Sequence, residues 1–217
     1  MSSERVLCVF AHPDDEVLAC GGTIAKHVEV GDEVQVLILA DGVGSRKEQD
    51  LKERQIAGKR ANMILGTRNL TLLEYADNKM DTYPQLQITQ SIEDVMEGYK
   101  PTVVYTHWHG DMNIDHQVVS KSVKVACRPQ TGSTVKLLLM GEVCSSTEWA
   151  GGFNPTWFVN ICSTWNKKID ALMCYKKELR DWPHARSLGA VKALMQHRGA
   201  SVGVGYAEAF ELVRSIA

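Results

Sequence analysis

The chain has 217 residues, enough for one α/β domain with a sizeable buried core. Its 44% apolar and 23% charged residues match an ordinary soluble globular protein, and a formal net charge of −2 gives no electrostatic footprint for nucleic acid or an anionic membrane. No apolar run reaches bilayer length, and Met1 to Glu4 leads into a strand without the features of a secretion signal, so a cytoplasmic location is expected.

The first element is an apolar run from Arg5 to Ala11, read as a strand, which ends in His12-Pro13-Asp14-Asp15-Glu16. Gly21-Gly22 and a helical pattern to about Val30 follow. Ligands of parallel α/β sheets bind just beyond the carboxyl ends of strands, where these four ionisable groups fall. His12 and Asp15 suit the ligation of one hard or borderline cation, leaving Asp14 as a base. The alternative is a helix cap, with Asp14 or Asp15 at the N-terminus of the helix and Glu16 in its first turn. One carboxylate would satisfy a cap. An imidazole with three acids implies a cation or proton chemistry.

The pattern then alternates. Val34 to Leu39 reads as a second strand, followed by Asp41-Gly42-Val43-Gly44-Ser45-Arg46, and Leu51 to Leu65 as a helix closed by Gly66. Asn69 to Leu73 is a short strand, Ile88 to Tyr99 a helix closed by Pro101, and Thr102 to Thr106 another strand. This order predicts a Rossmann-like α/β fold: a single domain over 1–217, with a mostly parallel sheet and helices on both faces. Trp165 to Arg180 and Leu188 to Arg198 read as a helical tail, a candidate contact for a homo-oligomer, although such spacing also suits a core. The six cysteines form no CxxC pair and read as reduced, mostly buried thiols.

A second polar burst, His107-Trp108-His109-Gly110-Asp111-Met112-Asn113-Ile114-Asp115-His116, follows the strand from Thr102 to Thr106 and precedes a helix from Gln117 to Ala126. If both strands lie near the middle of the sheet, His116 can join His12 and Asp15 in a two-histidine, one-carboxylate set. Such a set leaves positions open for water and substrate, as in catalytic zinc sites; iron or manganese could occupy it as well.

These residues resemble the PIG-L or LmbE-like family of metal-dependent N-deacetylases. Ala11 to Glu16 carries the resemblance, with Asp115-His116 about a hundred residues later, and it extends to Asp77-Asn78, Arg128-Pro129, Glu142 to Trp149, Pro183 to Ser187 and Tyr206 to Phe210. The resemblance implies Zn2+ on His12, Asp15 and His116, Asp14 as general base, and removal of an acetyl group from an N-acetylglucosamine-type small-molecule substrate. Zinc lowers the pKa of bound water to about 7 and polarises the amide carbonyl. Many family members carry a histidine where this chain has Asn113, whose amide can still donate to an oxyanion. His184 with Arg186 is expected to reach the site, with His107 and His109 as further candidates for the missing histidine's role.

Arg46 and Arg54 are candidates to grip sugar hydroxyls or a phosphate, and Asp77 to bind a hydroxyl, although solvated helix charge and a turn start also account for them. Two other functions fit the same chain. A nucleotide-binding module suits the alternation but lacks the glycine fingerprint, and an esterase or phosphoesterase would keep the metal and change the bond.

Overall fold

Successive side chains of the first strand enter two separate apolar layers, as the period of two demands. The computed structural model describes residues 3–41, 49–67 and 69–216, except the side chains of 49–51. Val6, Cys8 and Phe10 of β1 (Arg5–Phe10) pack into one layer, and Leu7, Val9 and Ala11 into the other. All six are fully buried, which is why this strand reads as a continuous apolar run. Burial of Leu7 or Phe10 stabilises the fold by about 1.5–3 kcal/mol each.

The chain continues through α1 (Asp15–Glu29), β2 (Glu33–Ala40), α2 (Gln49–Leu65), β3 (Asn69–Tyr75), α3 (Gln85–Tyr99), β4 (Val103–His107) and α4 (Ile114–Ala126). The remainder is β5 (Leu137–Gly141), the short α5 (Thr147–Ala150), β6 (Trp157–Asn160), α6 (Trp165–Leu172), α7 (Leu188–Ala200) and β7 (Ala207–Ser215). Among the described residues, seven strands form one sheet in the order β3-β2-β1-β4-β5-β7-β6. The first five are parallel, and β7 runs antiparallel to both β5 and β6. Apolar residues of α1, α2, α6 and α7 cover one face, and those of α3 and α4 the other.

Strand order reverses between β1 and β4. The chain moves outward from β1 to β2 and β3, then returns to place β4 on the opposite side of β1. The carboxyl ends of β1 and β4 therefore flank a crevice, the usual ligand position in open α/β sheets.

The expected helix from Trp165 to Arg180 is shorter than its pattern: α6 ends at Leu172, a 3-10 turn follows over Met173–Tyr175, and residues 176–180 are not helical. The bend turns Tyr175 and Glu178 inward, where they meet Glu16 and Arg54. Helix α1 is also interrupted, at Cys20 (φ −142°, ψ 23°). Past the break, the amides of Gly22 and Thr23 donate to the Glu208 carboxylate at 2.9 and 2.6 Å. Lys168 Nζ donates to the same carboxylate at 2.6 Å and to the Leu18 carbonyl at 2.7 Å, so this fully buried pair restores the hydrogen bonding that the break removes.

Candidate metal centre

Two loops build the site. After β1, His12 turns back so that Asp15 closes a tight turn through its amide to the His12 carbonyl at 3.2 Å, while Asp15 Oδ2 accepts the His12 amide at 2.9 Å. After β4, the backbone runs through Asp111 and Asn113 into α4, which carries His116 in its first turn. Three ligand-type atoms meet across the β1–β4 crevice. His12 Nδ1 lies 3.1 Å and His116 Nε2 3.2 Å from Asp15 Oδ2, and the two nitrogens are 3.3 Å apart. His116 is fully buried, as is Asp15, and His12 nearly so.

The outer nitrogen of each imidazole faces carboxylates. His12 Nε2 lies 3.0 Å from Asp115 Oδ2 and 3.1 Å from Asp77 Oδ1, and His116 Nδ1 lies 3.1 Å from Asp111 Oδ1. With neutral rings, the protons sit on those outer nitrogens, so two nitrogen lone pairs converge with the Asp15 carboxylate. Such a convergence repels itself unless a cation sits between, and the spacing suits one about 2 Å from each atom. Charge gives the same answer. Burial would lower the His12 pKa, but hydrogen bonds to Asp115, Asp15 and Asp77 outweigh it and raise it well above the ordinary value. Burial would raise the Asp15 carboxyl, yet His116 and His12 hold it well below the usual carboxylate range. The cluster therefore attracts positive charge, and a divalent cation fits its donor set.

Asp14 occupies the N-cap position of α1 but makes no capping hydrogen bond with its side chain, so the capping reading does not account for its carboxylate. Its backbone lies at φ 120°, a strained conformation for a residue with a side chain, held by the Glu16 carboxylate accepting its amide at 3.0 Å. Glu16 is held in turn by Tyr175 (2.6 Å) and Asn62 (3.1 Å). Asp14 Oδ2 lies 3.1 Å from Arg186 Nη1 and 3.6 Å from Arg54 Nη2. Oδ1 is buried and has no hydrogen-bond partner among the described residues. Burial raises the Asp14 pKa although the two arginines oppose it.

The other expected site residues are placed unevenly. Arg54 and Arg186 converge on Asp14, and each also approaches Glu178. Asp77 turns its carboxylate to His12. Asn113 is the N-cap of α4, its side-chain oxygen accepting the amides of Asp115 and His116. His107 lies beneath the site, stacked on His116 at 3.8 Å, and its Nε2 accepts the Ala11 amide at 2.8 Å. Burial lowers its pKa well below the ordinary value, so it is a neutral packing group. His109 is exposed and lies 4.0 Å from Glu211. His184 is also exposed, and its ring accepts the Arg186 amide, so this histidine shapes the loop while Arg186 enters the site. Arg46 falls outside the described residues. Glu16 stands in the first polar cluster, Asp111 in the second and Ser145 to Thr147 within the Glu142 to Trp149 segment, but the sequence assigned none of them an individual role, and nothing local marks Tyr175.

A Rossmann-like sheet bearing a buried two-histidine, one-carboxylate cluster at its topological switch point defines an α/β protein with a candidate metal centre at its ligand-binding crevice. Residues 7–127 match the family described as PIG-L: GlcNAc-PI de-N-acetylase, which is more than half of the 217 residues, and the chain belongs to this family. YaiS of Escherichia coli K12, an uncharacterized deacetylase, is 28% identical over 129 residues, which cover 57% of this chain and 68% of YaiS. Matches to two other curated relatives span 39% and 61% of their lengths. The N,N'-diacetylchitobiose deacetylase of Pyrococcus horikoshii shares the fold with a TM-score of 0.81, over 98% of this chain and 84% of that one, at 19% identity. GalB, the 4-carboxy-2-hydroxymuconate hydratase of Pseudomonas putida KT2440, does so with a TM-score of 0.80, over 99% and 98%, at 21% identity. No helix of the described residues is long and apolar enough to cross a membrane.

Proposed function

We propose that this protein is a metal-dependent hydrolase that removes the acetyl group from the amide of an N-acetylated amino sugar, with zinc on His12, Asp15 and His116. The convergence of those three ligand atoms within 3.1 to 3.3 Å, beside a buried carboxylate with one unused oxygen, carries this reading. When bound, the cation would act as a Lewis acid, polarising the acyl carbonyl and acidifying water.

The chain's own residues supply the rest. Asp14 takes a proton from the attacking water at Oδ1 and delivers it to the departing amine, while Arg186 and Arg54 fix Oδ2. Its raised pKa suits the first step, since a carboxylate pulled toward neutrality is a stronger base, and the proton still passes on to the departing amine because an amine is far more basic than any carboxylate. Asn113 stands one turn before His116, its amide nitrogen left over from capping as a donor toward the tetrahedral oxyanion. Arg54, anchored on the Pro13 carbonyl at 3.1 Å, supplies a guanidinium edge for a sugar hydroxyl. The same reading has the enzyme acting in the cytoplasm on a small saccharide or glycoconjugate.

The fold is shared with a hydratase as closely as with a deacetylase, so a substrate assay decides the reaction class. Purified protein is incubated with N-acetylglucosamine conjugates, with and without a chelator, and freed amine is read with fluorescamine. Metal-dependent amine release supports the proposal. Bound metal without amine release from any acetylated amino sugar would remove it in favour of an ester, phosphoester or hydratase substrate.

A further inference from the structure

We propose that Ser145, Ser146 and Thr147 are positioning residues that join the two halves of the site. Ser145 acts through Arg186 on Asp14, and Ser146 and Thr147 act through Asp111 on His116. The inference rests on the metal reading above.

These three side chains follow β5, the strand next to β4, and supply no ligand themselves. Asp111 is fully buried and has four donors. Its Oδ1 accepts from His116 Nδ1 at 3.1 Å and from the Asn113 amide at 2.8 Å. Its Oδ2 accepts from Ser146 Oγ at 2.9 Å and Thr147 Oγ1 at 2.5 Å. Four donors fill the lone-pair sites of a carboxylate, so it cannot rotate. A carboxylate fixed in that way sets the ring orientation of His116 and points Nε2 at Asp15 and His12. Thr147 is itself fixed, since its hydroxyl accepts the Val143 amide at 2.9 Å.

One residue earlier, Ser145 Oγ accepts from Arg186 Nε at 2.6 Å, and the same guanidinium reaches Asp14 through Nη1. Ser145 adopts φ 74°, unusual for a residue with a side chain, and its amide is held by the Glu148 carboxylate at 2.7 Å. A backbone kept in so sparsely populated a conformation signals a constraint beyond folding. Here it aims adjacent hydroxyls at different targets.

The test is zinc affinity by chelator competition, together with the visible d–d absorption of the cobalt-substituted protein. Asp111→Ala is expected to weaken zinc binding by about 10–100-fold, the range for loss of a ligand's hydrogen-bond partner. Thr147→Val and Ser146→Ala are expected to give smaller losses with a shifted cobalt spectrum, and Thr147→Ser, which keeps the hydroxyl, to restore both. Ser145→Ala is expected to leave zinc affinity and KM unchanged while lowering kcat on whichever N-acetyl sugar the wild type hydrolyses. Wild-type affinity and spectrum in Asp111→Ala, and in both Thr147→Val and Ser146→Ala, would overturn the inference while leaving the metal reading intact. A wild-type protein that binds neither zinc nor cobalt would overturn both.

Discussion

Arg186 Nη1 lies 3.1 Å from Asp14 Oδ2, joining residues 172 positions apart. The contact brings the loop before α7 onto the loop after β1 and engages Oδ2 of Asp14, leaving Oδ1 for the proposed proton transfer. Replacing Asp14 by Asn keeps the shape and removes the base. Turnover should fall by about a hundred- to ten-thousand-fold, with zinc affinity and thermal midpoint close to wild type. Steady-state kinetics beside a zinc titration checks this, and loss of zinc binding in Asp14→Asn would reassign Asp14 to the ligand set.

Arg186→Ala leaves a buried carboxylate with Arg54, at 3.6 Å, as its remaining ion-pair partner among the described residues. Breaking a buried pair from one side should cost about 3 kcal/mol of stability, read as a lower urea midpoint. A change below about 0.5 kcal/mol, the size of an ordinary surface substitution, would show that Arg186 does not compensate Asp14.

Much of this was legible in the sequence because β1, β2 and β4 are apolar runs that stop at polar bursts. His12, Asp15 and His116 stand out for the same reason. The antiparallel side of the sheet was not legible. Strand β6, at the sheet edge, is only four residues long, and β7, between β5 and β6, interrupts its apolar residues with Glu208 and Glu211 and exposes Leu212 and Val213, so neither is apolar enough to stand out. Partnerships across long sequence separations were equally hidden: nothing local in Glu208 announces that it caps a break in α1 186 residues away. His107 and His116 look alike as letters. Only packing shows that one is a neutral platform beneath the other.

The break in α1 makes a quantitative prediction. Lys168→Met should strand Glu208 as a buried charge and cost about 3–5 kcal/mol, and adding Glu208→Gln should recover part of it. Equal stability of the single and double variants in urea would show that Glu208 is satisfied by the Gly22 and Thr23 amides alone.

Gly22 is required for close packing. A Cβ there would lie 2.8 Å from Ile161 Cδ1 and 2.9 Å from its Cβ. Helix propensity alone would make Gly22→Ala stabilising by about 1 kcal/mol, but overpacking should reverse the sign to a loss of about 1–3 kcal/mol. Ile161→Val, which trims Cδ1 only, should relieve part of that loss in the double variant.

Thiol reactivity follows burial. The Cys144 and Cys127 thiols are pushed up to about 12 by burial, which leaves roughly one part in ten thousand as thiolate at pH 8. Cys162 is exposed. Iodoacetamide at pH 8 should label Cys162 first and Cys144 and Cys127 only after unfolding, as read by peptide mass spectrometry. Early labelling of Cys144 would contradict the packing beside Arg186.

The most direct test is amine release from an N-acetylglucosamine conjugate by protein that has been stripped with a chelator and then reloaded with zinc. The account predicts that stripping abolishes release, that zinc restores it in the wild type, and that zinc fails to restore it in His116→Ala. Release that survives chelation, or that His116→Ala supports as well as the wild type, would contradict it.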